Sequence, residues 1–257
     1  MNKFNVLCVL SSENKVEKNV KKMVKQTYDT VRLILGDQLN ESHSWFNTVD
    51  ESILYVMMEM RQETDYAFHH IQKVLAFFTA MRQFAERMST RGFHVLYMKL
   101  DDKENRQNLT ENLIYLIEEK NIQTFEYQLP DEYRLDQQLV EFCDSLKIAN
   151  KAYDSEHFLS ERQTVQQHFE GKKQWVMESF YRRMRKEYDI LMQNNKPVGG
   201  EWNYDAKNRN RYDGEVPIPE VLTFDNDVAE LKSMVEAQGI NTMGRMSSTK
   251  LDWPIHR

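Results

Sequence analysis

The chain has 257 residues, of which 40% are hydrophobic and 29% are charged, and it contains few glycines and prolines. This composition suffices for a hydrophobic core and argues against an intrinsically disordered chain. The net charge of −6 excludes a global positive field for nucleic acid, although it leaves a local basic surface open.

The cysteines and the apolar runs indicate the compartment. Cys8 and Cys143 lie far apart and outside any CxxC or Cys/His spacing, which argues against a disulfide framework and a structural zinc site. No apolar stretch approaches the roughly 20 residues that span a bilayer. The N-terminal MNKFNVLCVLSS lacks a small-x-small cleavage site. We therefore expect a cytoplasmic protein with reduced thiols and no membrane partner.

Three parts of the chain differ in pattern. Residues 1–30 are rich in lysine and weakly periodic, and we predict a solvated N-terminal extension there. Residues 31–160 alternate apolar runs with amphipathic segments, which predicts one α/β domain. Residues 161–257 lose the strand pattern, and we predict a linker region of helices and loops.

Five short runs in the α/β part are predicted strands, because they are mostly rich in β-branched or aromatic residues. They are Val31–Leu35, Ile53–Met58, His94–Leu100, Thr124–Gln128 and Ile148–Tyr153. The predicted helices are Tyr66–Met88, with apolar residues every three or four positions, and the weaker Asn105–Lys120 and Tyr133–Leu146. This alternation predicts a Rossmann-like, doubly wound α/β fold: a five-stranded parallel sheet with helices on both faces.

Polar side chains follow each predicted strand, at the sheet edge where open parallel sheets bind ligands. In chain order they are Asp37 and Gln38; Glu59, Arg61, Gln62 and Glu63; Asp101 and Asp102; Gln128, Asp131 and Glu132; and Ser155, Glu156 and His157. The acidic majority disfavours phosphate, and GDQLN has a single glycine where a dinucleotide turn needs G-x-G-x-x-G. This edge suits a neutral heterocycle with N–H and hydroxyl groups, since carboxylates accept hydrogen bonds and an amide serves either polarity.

Simpler explanations exist for several of these residues. Asp37 is equally suited to cap the helix that follows it. Glu59 and Glu63 would be ordinary solvated positions at a helix start, where negative charge is favourable. A Mg²⁺ site built from Asp37, Asp101 and Asp102 is a further alternative, which requires that the carboxylates converge.

Two residue pairs in the predicted helix Tyr66–Met88 also invite a functional interpretation. His69 and His70 would point about 100° apart on a helix, so both cannot face one ligand. The pair Phe77–Phe78 is more typical of a core than of a cofactor site. No nucleophile motif occurs. The residues alone therefore predict a ligand-binding α/β domain and leave its ligand open.

Five longer phrases are more specific: LILGDQLN, MEMRQETDYAFHHIQKVLAFFTAMRQFA, DEYRLD, MESFYRRMRKEYDILM and PVGGEWNYDAKNR, in this order. Together they resemble the photolyase-related family, in its branch of iron–sulfur bacterial cryptochromes and prokaryotic (6-4) photolyases. The resemblance runs from Val31 to Arg211, with a weaker echo at Leu251–Pro254.

In that family an N-terminal antenna domain and a linker precede a helical domain that holds FAD, an iron–sulfur cluster and the DNA lesion site. The resemblance covers the antenna domain and linker alone. It implies a part in light-dependent DNA repair or blue-light sensing, without catalysis by this chain by itself. FAD, the cluster and DNA would belong to a C-terminal domain that this chain lacks. An oligomer or a separate FAD-bearing partner would then complete the protein.

The resemblance also implies an antenna chromophore, 6,7-dimethyl-8-ribityllumazine, at the strand ends. Asp37 and Glu63 match acceptor positions of that pocket, with Gln38 beside them, and Tyr66 and Phe78 match its walls. The alternative is a stand-alone α/β enzyme that uses the acidic edge on a nucleotide or other small molecule. That alternative predicts metal-dependent turnover.

The third part of the chain carries a basic helix and a loop. Trp175–Met192 is predicted to be helical, with a basic face that would contact DNA phosphate in a full-length protein or simply be solvated. That face comprises Arg182, Arg183, Arg185 and Lys186. Pro197–Gly214 is predicted to be a loop that leaves Trp202 exposed unless another domain covers it. Val228–Ala237 is predicted to be a last helix.

Overall fold

A five-stranded parallel sheet organises the protein, whose computed structural model describes residues 27–256. Its strands are β1 (Thr30–Leu33), β2 (Ile53–Met58), β3 (Val95–Met98), β4 (Thr124–Gln128) and β5 (Ala149–Tyr153). The strand order is β3-β2-β1-β4-β5, and every pairing is parallel. The chain thus starts in the middle of the sheet and winds outward in both directions, which confirms the predicted doubly wound fold. Residues 1–26 of the predicted extension, with Cys8, lie outside the described residues.

Helices cover both faces of this sheet. The helices of the described residues are α1 (Arg61–Asp65), α2 (Ile71–Thr90), α3 (Leu109–Lys120), α4 (Tyr133–Ser145), α5 (Thr164–Phe169), α6 (Met177–Glu187) and α7 (Ala229–Ala237). Helices α2 and α7 contribute to the core on one face, and α3 and α4 to the core on the other. Because both faces are covered, β2 is buried at all six positions, and its sequence ILYVMM is apolar throughout.

Shorter elements connect and close the fold. Single turns of 3-10 helix form at Ser44–Phe46 and Lys207–Arg209. Three two-residue pairings join His69–His70 to Thr242–Met243, Asn226–Asp227 to Lys250–Leu251, and Met192–Gln193 to Lys196–Pro197. No helix within residues 27–256 is long and apolar enough to cross a membrane.

The C-terminal segment returns to the α/β domain. Six of its apolar side chains are buried in the same core as α2: Val228, Leu231, Val235, Ile240, Leu251 and Ile255. Residues 228–255 therefore help to cover one face of the sheet. The boundary predicted at residue 160 stays a prediction, and it does not separate this returning segment from the core that it joins.

The predicted helix Tyr66–Met88 is wrong at its N-terminal end, because α2 begins only at Ile71. His70 precedes it as the N-cap, and its Nδ1 accepts a hydrogen bond from the Gln72 backbone N–H at 3.2 Å. The pairing of His69–His70 with Thr242–Met243 holds this stretch in extended form. That partner lies far along the chain, so the local pattern does not contain it.

The predicted helix Trp175–Met192 is also shorter in the structure, where α6 spans Met177–Glu187. Asp189 and Leu191 have positive φ angles of 54° and 50°, which a right-handed helix excludes. Asn194 and Asn195, also at positive φ, then form the turn between two short paired strands. The remaining predicted strands and helices differ from the structure by a few residues at their ends.

Candidate functional site

A cavity of about 230 Å³ opens at the carboxyl edge of the sheet, beside β1 and β2 and against α2. Its apolar lining comprises Leu33, Ile34, Leu35, Met58, Met60, Val74, Phe77, Phe78, Met81 and Leu135, together with Gly36. Its polar lining comprises Asp37, Glu63, Thr64, Tyr66, His69, Lys73 and Glu132. The cavity thus joins an apolar interior to a mouth with three carboxylates and two nitrogen bases.

The tight turn after β1 is fastened by Gln38. Its backbone N–H donates to the Leu35 carbonyl at 3.0 Å, and its side-chain Oε1 accepts from the Leu35 N–H at 3.0 Å. The Nε2 donates to the Gln128 carbonyl at 3.1 Å, so the turn is also tied to β4. Gln38 is buried and does not line the cavity. Its predicted contact with a ligand stays a prediction, and its observed role is to hold Asp37 at the cavity mouth.

Asp37 lies at this mouth with its side chain accessible to solvent, although protein surrounds it on several sides. Partial burial raises the pKa of Asp37, and the nearby carboxylates of Asp131 and Glu132 raise it further. A backbone hydrogen bond and the His157 imidazole act in the opposite direction. A carboxylate held in this environment favours a ligand group that donates a hydrogen bond to it.

Glu63, on α1, enters the cavity mouth with its carboxylate already paired. The Arg134 guanidinium donates to both of its oxygens, at 2.7 Å from Nη2 and 3.2 Å from Nη1. The Gln62 side chain donates a third hydrogen bond to it at 3.1 Å. A carboxylate has about four acceptor positions. Glu63 therefore keeps room for one further donor, and its orientation is fixed.

Tyr66 and Phe78 form walls at different depths. Phe78 is 5% exposed and belongs to the core side of the cavity, whereas Tyr66 is 55% exposed and stands at the mouth. The Tyr66 ring packs edge-on against the His69 ring, with centroids 5.0 Å apart. Four of the five predicted site residues, Asp37, Glu63, Tyr66 and Phe78, therefore line one cavity.

Several cavity residues were not predicted. Lys73 lies four residues after His69, and its Nζ is 3.2 Å from the His69 Nδ1. His69 precedes α2 in extended form and lines the cavity, while His70 caps the helix. The two histidines therefore do not face one ligand, as predicted, although they are not on a helix as that prediction assumed. Phe77 lines the cavity beside Phe78 and is half-exposed, so the expectation of two core rings is wrong for Phe77. The sequence signal for these residues was Lys73, a basic residue close after His69 and His70 in a predicted helix next to the strand ends.

Other carboxylates at the strand ends lie outside the cavity. Glu59 is fully buried and paired with Arg82, so its interpretation as a solvated position is wrong. Asp101 is exposed, and Asp102 accepts a hydrogen bond from the Lys99 backbone at 2.7 Å. Neither joins Asp37 at the cavity. In residues 27–256, no three His, Cys, Asp or Glu side chains are arranged to hold a metal ion.

The strand ends of β4 and β5 border a second cavity of about 430 Å³, lined in part by Asp131, Asp136 and Ser155. Arg162 also lines this cavity, and its guanidinium donates to both oxygens of Asp136 at 2.9 Å. Its acidic residues are thus not part of the first cavity, and we assign no ligand to it.

The basic face of α6 is engaged within the chain. Arg185 is buried and donates to the carbonyls of Ile190, Leu191 and Trp202. Arg182 and Arg183 form ion pairs one turn away, with Glu178 and Glu187 respectively. The Trp202 ring is half-buried, with Arg182, Arg185 and Lys186 at 5.3 to 5.5 Å from its centroid. Contact of this face with DNA phosphate stays a prediction, and Arg185 has no exposed charge to offer.

A family model and a similar protein point to one family. The family model described as deoxyribodipyrimidine photo-lyase-related protein matches residues 32–251. A (6-4) photolyase from Agrobacterium fabrum is 32% identical over 219 residues, which are 84% of this chain and 43% of that protein. An uncharacterized protein of Acanthamoeba polyphaga mimivirus, R852, is 28% identical over 146 residues, 54% of this chain and 71% of that protein. The chain thus spans less than half the length of the (6-4) photolyase, and all cavity residues fall within the matched range.

Proposed function

Because this chain belongs to the deoxyribodipyrimidine photolyase-related family, we propose that its cavity binds an antenna chromophore, 6,7-dimethyl-8-ribityllumazine. The observation that carries this proposal is the cavity itself, in which an apolar interior meets an acidic mouth at the sheet edge. This is where doubly wound domains bind their ligands. The chain would act as the light-collecting part of a photolyase-like protein in DNA repair or blue-light sensing.

The cavity lining suits the chemistry of this chromophore. A ribityllumazine has a flat bicyclic ring with carbonyl and N–H groups and a chain of hydroxyls. Phe78 and Met81 offer apolar and polarisable surface to a flat ring. Asp37 and Glu132 would accept hydrogen bonds from hydroxyls, and Lys73 would donate one to a carbonyl. The volume of about 230 Å³ is small beside the roughly 300–1,000 Å³ of typical ligand pockets. This size favours one ring system with its polar tail at the mouth over a dinucleotide.

The wider activity would need groups other than the proposed chromophore. The relative from Agrobacterium fabrum is named a (6-4) photolyase, and we propose that this chain serves the same kind of light-dependent process. FAD, an iron–sulfur cluster and DNA would then be held by protein beyond this cavity. Such protein would be either a further part of a longer chain or a separate partner.

A fluorescence and absorption titration of the purified chain with 6,7-dimethyl-8-ribityllumazine tests the proposal. We expect saturable binding by the wild-type chain and weaker binding by Asp37→Ala and Glu63→Ala. Each lost charge-assisted hydrogen bond corresponds to about a tenfold weaker affinity. Asp101→Ala is the matched control, since Asp101 is an exposed carboxylate at the same sheet edge but outside the cavity.

Two results would contradict the proposal. One is a wild-type chain that is folded by circular dichroism and binds no ribityllumazine at concentrations up to its solubility. The other is binding that Asp37→Ala, Glu63→Ala and Asp101→Ala reduce equally, because the ligand would then lie outside this cavity.

A further inference from the structure

Arg134 joins two carboxylates that come from opposite sides of the cavity mouth. It is the second residue of α4 (Tyr133–Ser145), and its guanidinium donates to both oxygens of Glu63. It also donates to both oxygens of Glu132, at 3.1 Å from Nε and 3.0 Å from Nη2. The same guanidinium lies 4.5 Å from the centroid of the Tyr66 ring. One side chain thus contacts three groups of the mouth.

Arg134 does not itself line the cavity, whereas Glu63, Glu132 and Tyr66 all do. Glu63 and Tyr66 follow β2, and Glu132 follows β4, so the guanidinium connects the ends of two strands that are not neighbours in the sheet. The planar fork of arginine can hold two carboxylates and stack on an aromatic ring at once, which the point charge of lysine cannot do.

The Arg134 guanidinium offsets the repulsion between the carboxylates at the cavity mouth. Glu63 and Glu132 would repel each other without a cation between them, and Asp37 adds a third carboxylate to the same cavity. The three side chains of the bridge are each about one-third to two-fifths exposed, so the bridge adds little to overall stability. Its consequence is for the geometry of the mouth rather than for the fold.

We infer that Arg134 is a positioning residue of the cavity, which holds Glu63 and Tyr66 in the orientation that a bound ligand requires. This inference rests on the proposed chromophore site for its ligand. It extends that proposal by assigning a role to a residue outside the cavity lining. Arg134 acts in part through Glu63, so its effect on binding should be larger when that carboxylate is present.

Titration of five variants with 6,7-dimethyl-8-ribityllumazine tests the inference. We expect Arg134→Gln to weaken binding about tenfold, with Arg134→Lys between it and wild type. In the Glu63→Ala background, Arg134→Gln should weaken binding less than it does in wild type, because the contact with Glu63 is already gone while those with Glu132 and Tyr66 remain. Arg162→Gln is the matched control, since Arg162 makes a bidentate bond to Asp136 outside this cavity and should leave the affinity unchanged.

A second measurement needs no ligand. The aromatic NMR signals of Tyr66, assigned with Tyr66→Phe, should shift in Arg134→Gln and stay in place in Arg162→Gln. Unmoved Tyr66 signals, wild-type affinity in Arg134→Gln, or effects of Arg134→Gln and Glu63→Ala that simply add would each overturn the inference. If wild type binds no chromophore, the proposed function fails, and the Tyr66 signals still decide whether Arg134 positions the mouth.

Discussion

Gly36 and Met81 are in contact across the wall of the cavity, where a Cβ atom at residue 36 would stand 3.0 Å from the Met81 Sδ. The φ angle of Gly36 is not in the left-handed region, so close packing rather than backbone conformation favours glycine at this position. A side chain at residue 36 would require the Met81 thioether, the flexible end of that side chain, to move by a few tenths of an ångström. The glycine in GDQLN therefore shapes the cavity.

Substitution of Gly36 by alanine should push Met81 out of its present position. We expect Gly36→Ala to lower the free energy of unfolding by about 1–3 kcal/mol, as overpacking does, and to weaken ribityllumazine binding several-fold. Urea denaturation and a fluorescence titration measure the two effects. In a Met81→Ala background the substitution should cost less, because the crowded atom is gone. An equal cost in both backgrounds would contradict this explanation.

We expect the charged Asp37 side chain to lower the stability of the folded chain and to strengthen ligand binding. Its pKa is raised by burial and by neighbouring carboxylates, so the charged form is disfavoured in the folded state. Stability linked to Asp37 is therefore full below the ordinary pKa of 3.8 and is lost as the pH rises through the folded value. We expect Asp37→Asn to stabilise the chain at pH 7 by less than about 1 kcal/mol, since the side chain is accessible to solvent.

The gain from Asp37→Asn should shrink as the pH falls toward 3.8, and urea denaturation at a series of pH values measures it. The same variant should bind ribityllumazine more weakly, as expected for a residue kept for function. Asp101→Asn is the control at the same sheet edge. A stability gain for Asp37→Asn that stays constant with pH would show that charge is not its cause.

Strand β2 could be predicted because it is buried on both faces and its sequence Ile53–Met58 is a short apolar run. The start of α2 could not. It is set by the pairing of His69–His70 with Thr242–Met243, and a local pattern carries no information about so distant a partner. Sequence periodicity therefore located the helix and misjudged its first turn.

The site was likewise predictable in part: the sequence indicates which residues lie at the strand ends but not which partners their side chains contact. Asp37 and Glu63 follow strands that are neighbours in the sheet, so the strand-end rule brings them together. Gln38 and Arg134 show the limit of that rule, because their roles depend on which partner each side chain meets. Gln38 bonds to the backbone of its own turn and of β4, and Arg134 pairs with Glu63.

Glu59 is the carboxylate at this edge that serves the fold. It is fully buried, receives two hydrogen bonds from Arg82 at 2.7 and 3.0 Å, and accepts from the Tyr97 hydroxyl at 2.7 Å and the Leu100 N–H at 2.9 Å. Removing one member of a buried pair leaves the other uncompensated. We expect Glu59→Gln to lower the free energy of unfolding by roughly 3 kcal/mol.

Urea denaturation measures this loss, and Asp65→Asn is the control. Asp65 pairs with Arg61 on the surface, so its loss should cost less than about 1 kcal/mol. Burial, and then the Glu59 carboxylate, raise the pKa of Tyr97 well above its ordinary value of 10.0. A phenol whose folded pKa is raised favours the fold below pH 10 and loses that contribution as the pH rises further.

Tyr97 should therefore stay protonated in the folded wild-type chain at pH 11, and ionise more readily in Glu59→Gln. The difference in absorbance at alkaline pH between each chain and its Tyr97→Phe counterpart isolates this one phenol. Ionisation of Tyr97 at the same pH in both chains would mean that the Glu59 charge does not reach it. Burial alone would then account for the raised pKa, and the loss of stability in Glu59→Gln would have to come from Arg82.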